Sequence, residues 1–150
     1  MTAYCDVGYL FALRVPADRW HPAAVHFWPG IQGASKVFTW LHRLELYNLI
    51  RHATLRQPPP YTTSQAKDLL TQFKKDVYQG LFEYADFSVQ DVLQEFTAWS
   101  AAYGFQHIVT TFDLLHVSAA LALGADQFVT TDERQHTAAR LAGLSSILVR

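Results

Sequence analysis

The sequence predicts an α/β fold in which a mostly parallel central sheet is flanked by helices on its faces, built as one domain over residues 1–150. Three observations lead there. Short apolar runs alternate with segments of helical periodicity, the pattern of parallel strands joined by crossover helices. A chain of 150 residues buries one sizeable core and is too short for two. Half of the residues are hydrophobic and 14% are aromatic against 17% charged, which excludes a disordered or fibrous chain. The same apolar content leaves material for a partner surface, so a dimer fits.

The elements follow in order. Ala3 to Val7 reads as the first strand, and Gly8 breaks it before the apolar run Tyr9 to Leu13, so Asp6 stands at a strand's carboxyl end. Asp18 is a candidate N-cap for a helix carrying Trp20, Ala24, Val25 and Trp28, which Pro29-Gly30 ends. Lys36 to Phe38 is the second strand. From Thr39 onward, Leu41, Leu44, Leu46, Leu49 and Ile50 keep a helical rhythm around Glu45 until Pro58-Pro59-Pro60, which cannot continue a helix. Thr63 or Ser64 caps a helix through Ala66, Leu69, Leu70, Phe73 and Val77, and a short strand spans Tyr84 to Phe87. Ser88 caps the next helix, with Val92, Leu93, Phe96, Trp99 and Ala102 at three- and four-residue spacing until Gly104. Thr110 to Asp113 introduce an Ala- and Leu-rich helix ending at Gly124, followed by the strand Gln127 to Thr130 and the turn into Asp132. A helix from Glu133 to Leu141, a stop at Gly143 and a strand from Ser146 to Val149 complete the series.

Twelve Lys and Arg against 13 Asp and Glu leave a net charge of −1, so no global positive field draws in nucleic acid and any phosphate binding must be local. The single cysteine, Cys5, reads as a buried strand residue compatible with a reducing compartment. The first residues lack a basic and apolar leader pattern, and no stretch approaches the ~20 apolar residues that cross a membrane, so a cytoplasmic location is expected. Among seven histidines, His21 and His26 are five apart and no His-Glu-x-x-His occurs, so zinc is not expected. Neither a Gly-x-Ser-x-Gly elbow nor a GxxxxGK phosphate loop is present.

Ligand sites in open α/β sheets lie outside the carboxyl ends of the strands, so Asp6 and Asp132 face one rim. Asp113 opens a helix, where a carboxylate is a common N-cap, and Glu45 lies in the apolar stretch Leu41 to Ile50. Hydrolysing a phosphodiester needs charge neutralisation on the phosphate and an activated water, and a hard divalent cation held by carboxylates supplies both. Without that cation a carboxylate cluster repels itself. His116 shares a helix face with Asp113 and reads as a packing or hydrogen-bonding residue near the rim, not as a general base.

The segment Asp113-Leu114-Leu115-His116-Val117-Ser118-Ala119-Ala120-Leu121, then Gly124-Ala125, Phe128 to Gln135 and Leu141-Ala142-Gly143-Leu144, resembles the carboxyl-terminal half of a PIN domain. Tyr4-Cys5-Asp6-Val7-Gly8-Tyr9-Leu10 resembles the first acidic motif of that family, and Leu44-Glu45-Leu46-Tyr47-Asn48 resembles its second. All four acids are matched in order. The resemblance implies a Rossmann-like sheet and a Mg²⁺- or Mn²⁺-dependent endoribonuclease acting on RNA. It also implies, most often, the toxin of a VapBC-type pair, with an antitoxin protein as partner and a homodimer as the assembly. By position it makes Asp6, Glu45, Asp113 and Asp132 the metal-binding and catalytic acids. Thr130 matches the family's hydroxyl residue two before the last acid, suited to orienting water or a carboxylate. Asn48 shares a helix face with Glu45, either supporting it or simply facing solvent. Val7 stands where many members carry Thr or Ser, which removes one hydroxyl near the first acid.

Two other functions stay open: a PIN nuclease of RNA processing that is not a toxin, and a PIN-like binding module that keeps its acids for stability without cleaving. Candidate RNA contacts are Arg14, Arg19, Arg43, Arg51 and Arg134, with Trp20 and Trp40 to stack unpaired bases. Arg134 is favoured for a role near the rim because it follows Asp132 by two residues. The apolar helices between Asp18 and Arg56 are candidates for an antitoxin or dimer groove.

Overall fold

The computed structural model describes residues 1–150. Five strands form its sheet: β1 (Thr2–Cys5), β2 (Ser35–Phe38), β3 (Glu83–Tyr84), β4 (Gln127–Thr130) and β5 (Ser146–Leu148). Helices α1 (Val7–Arg14) and α2 (His21–Phe27) link β1 to β2, with a 3₁₀ turn at Trp28–Ile31. Helices α3 (Trp40–Ala53) and α4 (Thr63–Tyr78) link β2 to β3, α5 (Val89–Tyr103) and α6 (Thr111–Ala122) link β3 to β4, and α7 (Glu133–Leu141) links β4 to β5. The strands pair in the order β3-β2-β1-β4-β5, and every pair is parallel, so the sheet expected to be mostly parallel is entirely so. Parallel neighbours cannot be joined by a tight turn, which is why each link carries a helix.

Strand order reverses between β1 and β4. The chain builds outward through β2 and β3 on one side, then returns to lay β4 and β5 on the other. The crevice above such a reversal is where open α/β sheets bind ligands.

The period-two alternation of each strand divides the core between the two faces. Ala3, Cys5 and Val129 pack with Leu10, Leu46, Ile50 and Phe73 on one face, whereas Tyr4 and Phe128 pack with Val92, Trp99, Val117 and Ala138 on the other. No helix is long and apolar enough to cross a membrane.

Several expected boundaries move for local reasons. The helix α1 begins at Val7 because Asp6 caps it, accepting the Tyr9 N–H, so the first strand stops at Cys5 and Gly8 lies inside the helix instead of breaking the chain. Asp18 does not cap α2. Its carboxylate accepts the Trp20 N–H at 2.8 Å in the preceding turn, and the helix starts at His21 with Pro22 in its first turn. Thr62, not Thr63 or Ser64, caps α4, and it does so reciprocally with Gln65. Thr110 caps α6, which overturns the reading of Asp113 as its cap. The third strand is confined to Glu83–Tyr84. Beyond α6, Gly124 takes φ +61°, a left-handed conformation that lets the Ala125 N–H reach back to the Ala120 carbonyl at 2.9 Å.

The start of α3 is tied to the end of β1 by a buried histidine. Thr39 caps α3, its own N–H donates to His42 Nδ1 at 3.1 Å, and the opposite ring nitrogen, Nε2, meets the Cys5 carbonyl at 2.8 Å. An amide can only donate, so Nδ1 accepts and Nε2–H donates to Cys5. Burial holds the His42 imidazole well below its usual range of protonation, which keeps it in this neutral form. Replacing His42 by Leu leaves the Thr39 amide and the Cys5 carbonyl without their side-chain partner. Urea unfolding of the variant is expected to show a loss of about 2 kcal/mol or more, and an unchanged midpoint would contradict the tie.

Candidate active site

Where β1 and β4 end, the chain turns into helices whose N-caps are acids. Asp6 is 4% exposed. Its Oδ1 accepts the Tyr9 N–H at 2.7 Å, and its Oδ2 accepts the Thr130 hydroxyl at 2.9 Å. Asp132 caps α7, with Oδ1 accepting the N–H groups of Arg134 and Gln135 at 2.8 and 3.0 Å. Asp113 lies in the first turn of α6 and accepts the Thr110 hydroxyl at 2.6 Å. Glu45 reaches across from α3, its Oε2 at 2.6 Å from Nε2 of the buried His116. All four acids line one cavity of about 300 Å³ at the carboxyl edge of the sheet, together with His116, Gln135 and Thr131.

Thr130 is the hub of this edge. Its Oγ1 accepts the Asp132 N–H at 2.9 Å and has two acceptors in reach, Asp6 Oδ2 and Gln135 Oε1, each at 2.9 Å. The Gln135 amide is oriented by its other end, where Nε2 donates to the Asp113 carbonyl at 3.2 Å. Gln135 thus links three of the acid-bearing segments. Val7 offers Asp6 no hydroxyl from its own helix, and Thr130 supplies one from β4. A Cβ on Gly8 would lie 2.9 Å from Thr131 Oγ1 and 3.2 Å from Asp6 Oδ2, so a side chain there would press on the hydroxyl and the carboxylate at the cavity and displace them.

The acids feel one another. Burial pushes the Asp6 carboxyl up to about 7 against the counter-pull of the Tyr9 N–H and the Thr130 hydroxyl, and the charges of Asp113 and Glu45 raise it further. Asp113 is raised mainly by burial, with Asp132 and Glu45 adding to it. Four carboxylates around one cavity are the hard oxygen donors that a divalent cation such as Mg²⁺ or Mn²⁺ takes. Their present side-chain arrangement is not a preformed cage, since no three Asp, Glu, His or Cys side chains stand together as an ion site. Asp132 and Glu45 are instead turned to the α7 amides and to His116. The donor chemistry fits the cation, and Asp132 keeps its Oδ2 without a hydrogen bond while Oδ1 caps α7.

The remaining sequence candidates separate. Asn48 is exposed and makes no hydrogen bond to Glu45. Arg14 is paired with Asp76 at 2.6 Å. Arg43 lines a separate hollow with Tyr47 and Tyr84, and Arg134 lines another with His107 and Val109. Arg51 is exposed, and Trp40 packs on Phe87. The cationic residues on the acid cavity are Arg19 and Arg56, neither with an ion-pair partner, alongside Trp20. Arg19 and Trp20 were among the sequence candidates; Arg56 and Gln135 were not, and nothing in their local sequence marks them.

No protein-family model matches the sequence, and no curated protein sequence matches it. Solved structures do match in fold. The chain is similar to a chain of VapBC2 from Rickettsia felis bound to a DNA fragment from their promoter, at TM-score 0.67 and 16% identity over 100% of both chains. It is similar to a chain of VapBC-1 from nontypeable Haemophilus influenzae at TM-score 0.65 and 14% identity, covering 99% of this chain and 98% of that one. FitAcB from Neisseria gonorrhoeae matches at TM-score 0.64 and 11% identity, covering 97% and 96%. The architecture is therefore the Rossmann-like, parallel-sheet α/β fold that these chains share.

The raised Asp6 carboxyl has a consequence for stability. An unfolded Asp ionises near 3.9, so the folded chain binds this proton more tightly, and the contribution of Asp6 is present in acid and lost as pH rises through about 7. In metal-free protein, the urea midpoint should fall between about pH 5 and about pH 8 by more in the wild type than in Asp6→Asn. Equal slopes would contradict the burial of this charge.

Proposed function

We propose that this chain is a Mg²⁺- or Mn²⁺-dependent endoribonuclease and the toxin of a VapBC-type pair, working with an antitoxin protein and as a homodimer. The observation that carries the reading is the convergence of Asp6, Glu45, Asp113 and Asp132 on one cavity at the sheet's switch point, which Arg19 and Arg56, both without an ion-pair partner, also line. An acid-lined cavity that favours a cation, with free cationic side chains also lining it, suits a polyanion that contacts both. A phosphodiester strand has that chemistry. The names VapBC and FitAcB borne by structures of the same fold support the pairing with an antitoxin.

In this reading Asp6, Asp113, Asp132 and Glu45 hold the cation, which when bound neutralises charge on the phosphate and lowers the pKa of a water. Asp6 is the fixed point, because Tyr9 N–H and the Thr130 hydroxyl hold both its oxygens. Thr130 carries a single proton between Asp6 and Gln135, so the hydroxyl follows the ionisation of Asp6: it donates to the carboxylate, and turns to Gln135 Oε1 when the acid is protonated. Arg19 and Arg56 bind backbone phosphates of the substrate. Phe11 lies under the Arg56 guanidinium at 5.5 Å and Trp20 under that of Arg19 at 4.8 Å, which restricts both side chains before RNA arrives. The chain's net charge of −1 makes these local cations the source of phosphate affinity.

Partner-free protein is expected to cleave RNA with Mg²⁺ or Mn²⁺ and to stop with EDTA or in Asp6→Asn. Persistent cleavage by the Asp6→Asn variant would sink the assignment, and metal-independent binding of RNA without cleavage would favour a binding module. Suppression of cleavage by a co-expressed neighbouring small protein separates a toxin from a processing nuclease. Arg19→Ala and Arg56→Ala should each raise KM several-fold with little change in kcat and flatten the log–log salt dependence of single-strand binding by about 0.7. An unaltered salt dependence in both variants would remove the arginines from the substrate path.

A further inference from the structure

We propose that His116 is a positioning residue for Glu45, braced from behind by Tyr4, so that a buried chain of three side chains sets the Glu45 carboxylate at the cavity. This inference rests on the role proposed for Glu45 above. It draws together three distant elements: Tyr4 in β1, His116 in α6 and Glu45 in α3.

A neutral His116 ring with its hydrogen on Nε2 satisfies each of these buried groups. A carboxylate only accepts, so at 2.6 Å from Glu45 Oε2 the Nε2 atom of His116 carries a hydrogen. Nδ1 of the same ring lies 2.8 Å from the Tyr4 hydroxyl, which is buried and has the Thr39 side chain as its other polar neighbour. If Tyr4 donates its one hydrogen to Nδ1, both ring nitrogens and the phenol are paired. The other neutral tautomer sets a bare Nε2 against the Glu45 oxygen and loses the charge-assisted bond. Tyr4 therefore selects the ring form that can hold Glu45, as the outer partner of a ligating histidine selects its tautomer.

The ring has little freedom to leave this arrangement. His116 is 1% exposed, with the Tyr4 ring edge-on at 5.8 Å and the His42 ring edge-on at 4.9 Å. His42 is itself committed to Thr39 and Cys5, so it does not compete for either nitrogen of His116. Among the four acids Glu45 has the longest side chain, and Asp113, which also lacks a backbone donor, is held by the Thr110 hydroxyl one turn away. Asp6 and Asp132 receive backbone N–H groups from the helices they cap, whereas Glu45 projects from the middle of α3 on a longer side chain and receives only the His116 bond. Left free, that side chain would lose rotamer entropy on each engagement of a cation.

Two measurements on the full chain test the proposal. In metal-free wild type, ¹⁵N NMR of the histidine rings should show His116 protonated at Nε2 and bare at Nδ1; a proton on Nδ1 overturns the chain. Calorimetric titration with Mn²⁺ should show His116→Leu weakening binding by about 10- to 100-fold. His116→Gln, whose amide can offer an N–H to Glu45, should recover most of that loss. Tyr4→Phe should weaken binding less, and adding it to His116→Leu should cost nothing more, because Tyr4 acts through the ring. A folded His116→Leu variant that binds Mn²⁺ like the wild type overturns the positioning role, as does an additive Tyr4→Phe effect for the brace. If His116→Leu does not fold, the comparison of Gln with wild type and the tautomer decide. Failure of wild-type protein to bind Mn²⁺ at all overturns the proposed function instead, leaving the chain to be judged on the tautomer.

Discussion

The Asp6 carboxylate leaves water at the carboxyl end of β1 and receives in exchange one backbone N–H and one hydroxyl. Those two bonds do not offset the loss of solvent, which is why its proton is held up to about 7 in the absence of a cation. Most of what surrounds it follows from that imbalance. Gly8 leaves room for the Asp6 carboxylate and the Thr131 hydroxyl, Thr130 bridges Asp6 to Gln135, and three more acids share the cavity with Asp6. Burying a charge among like charges costs stability, and natural chains carry such costs chiefly at working sites.

The polar groups around the cavity form ties between elements that the core alone would leave free to slide. His42 joins α3 to the last residue of β1, His116 joins α6 to both β1 and α3, and Gln135 joins α7 to α6 and β4. Each tie crosses the switch point or borders it. Apolar packing on the two faces of the sheet fixes the layers, and these bonds set the rim between them.

The alternation of strands and helices was legible because periodicity and caps are local. The strand Gln127–Thr130, the helix Glu133–Leu141 and the Ser88 cap agree with the sequence reading to the residue. Strand ends alone set Asp6 and Asp132 on a common rim. For Asp113 the sequence left a capping role open beside the acidic one, because Thr and Asp are both good caps and Thr110, Thr111 and Asp113 stand together; Thr110 takes the cap, and the Asp113 side chain lines the cavity. Residues two apart on a helix do not share a face, so Gln135 lines the acid cavity whereas Arg134 lines a separate hollow. Contacts such as Tyr4 with His116, 112 residues apart, leave no local trace at all.

Whether the four acids form one cation site is decided most directly by diffraction from crystals grown with saturating Mn²⁺ and measured at an energy where manganese scatters anomalously. The account predicts an anomalous peak inside the cavity bordered by Asp6 and Asp113, with Asp132 or Glu45 moved toward it from its present partner. A cavity without a peak, with Mn²⁺ bound elsewhere or nowhere, would contradict it.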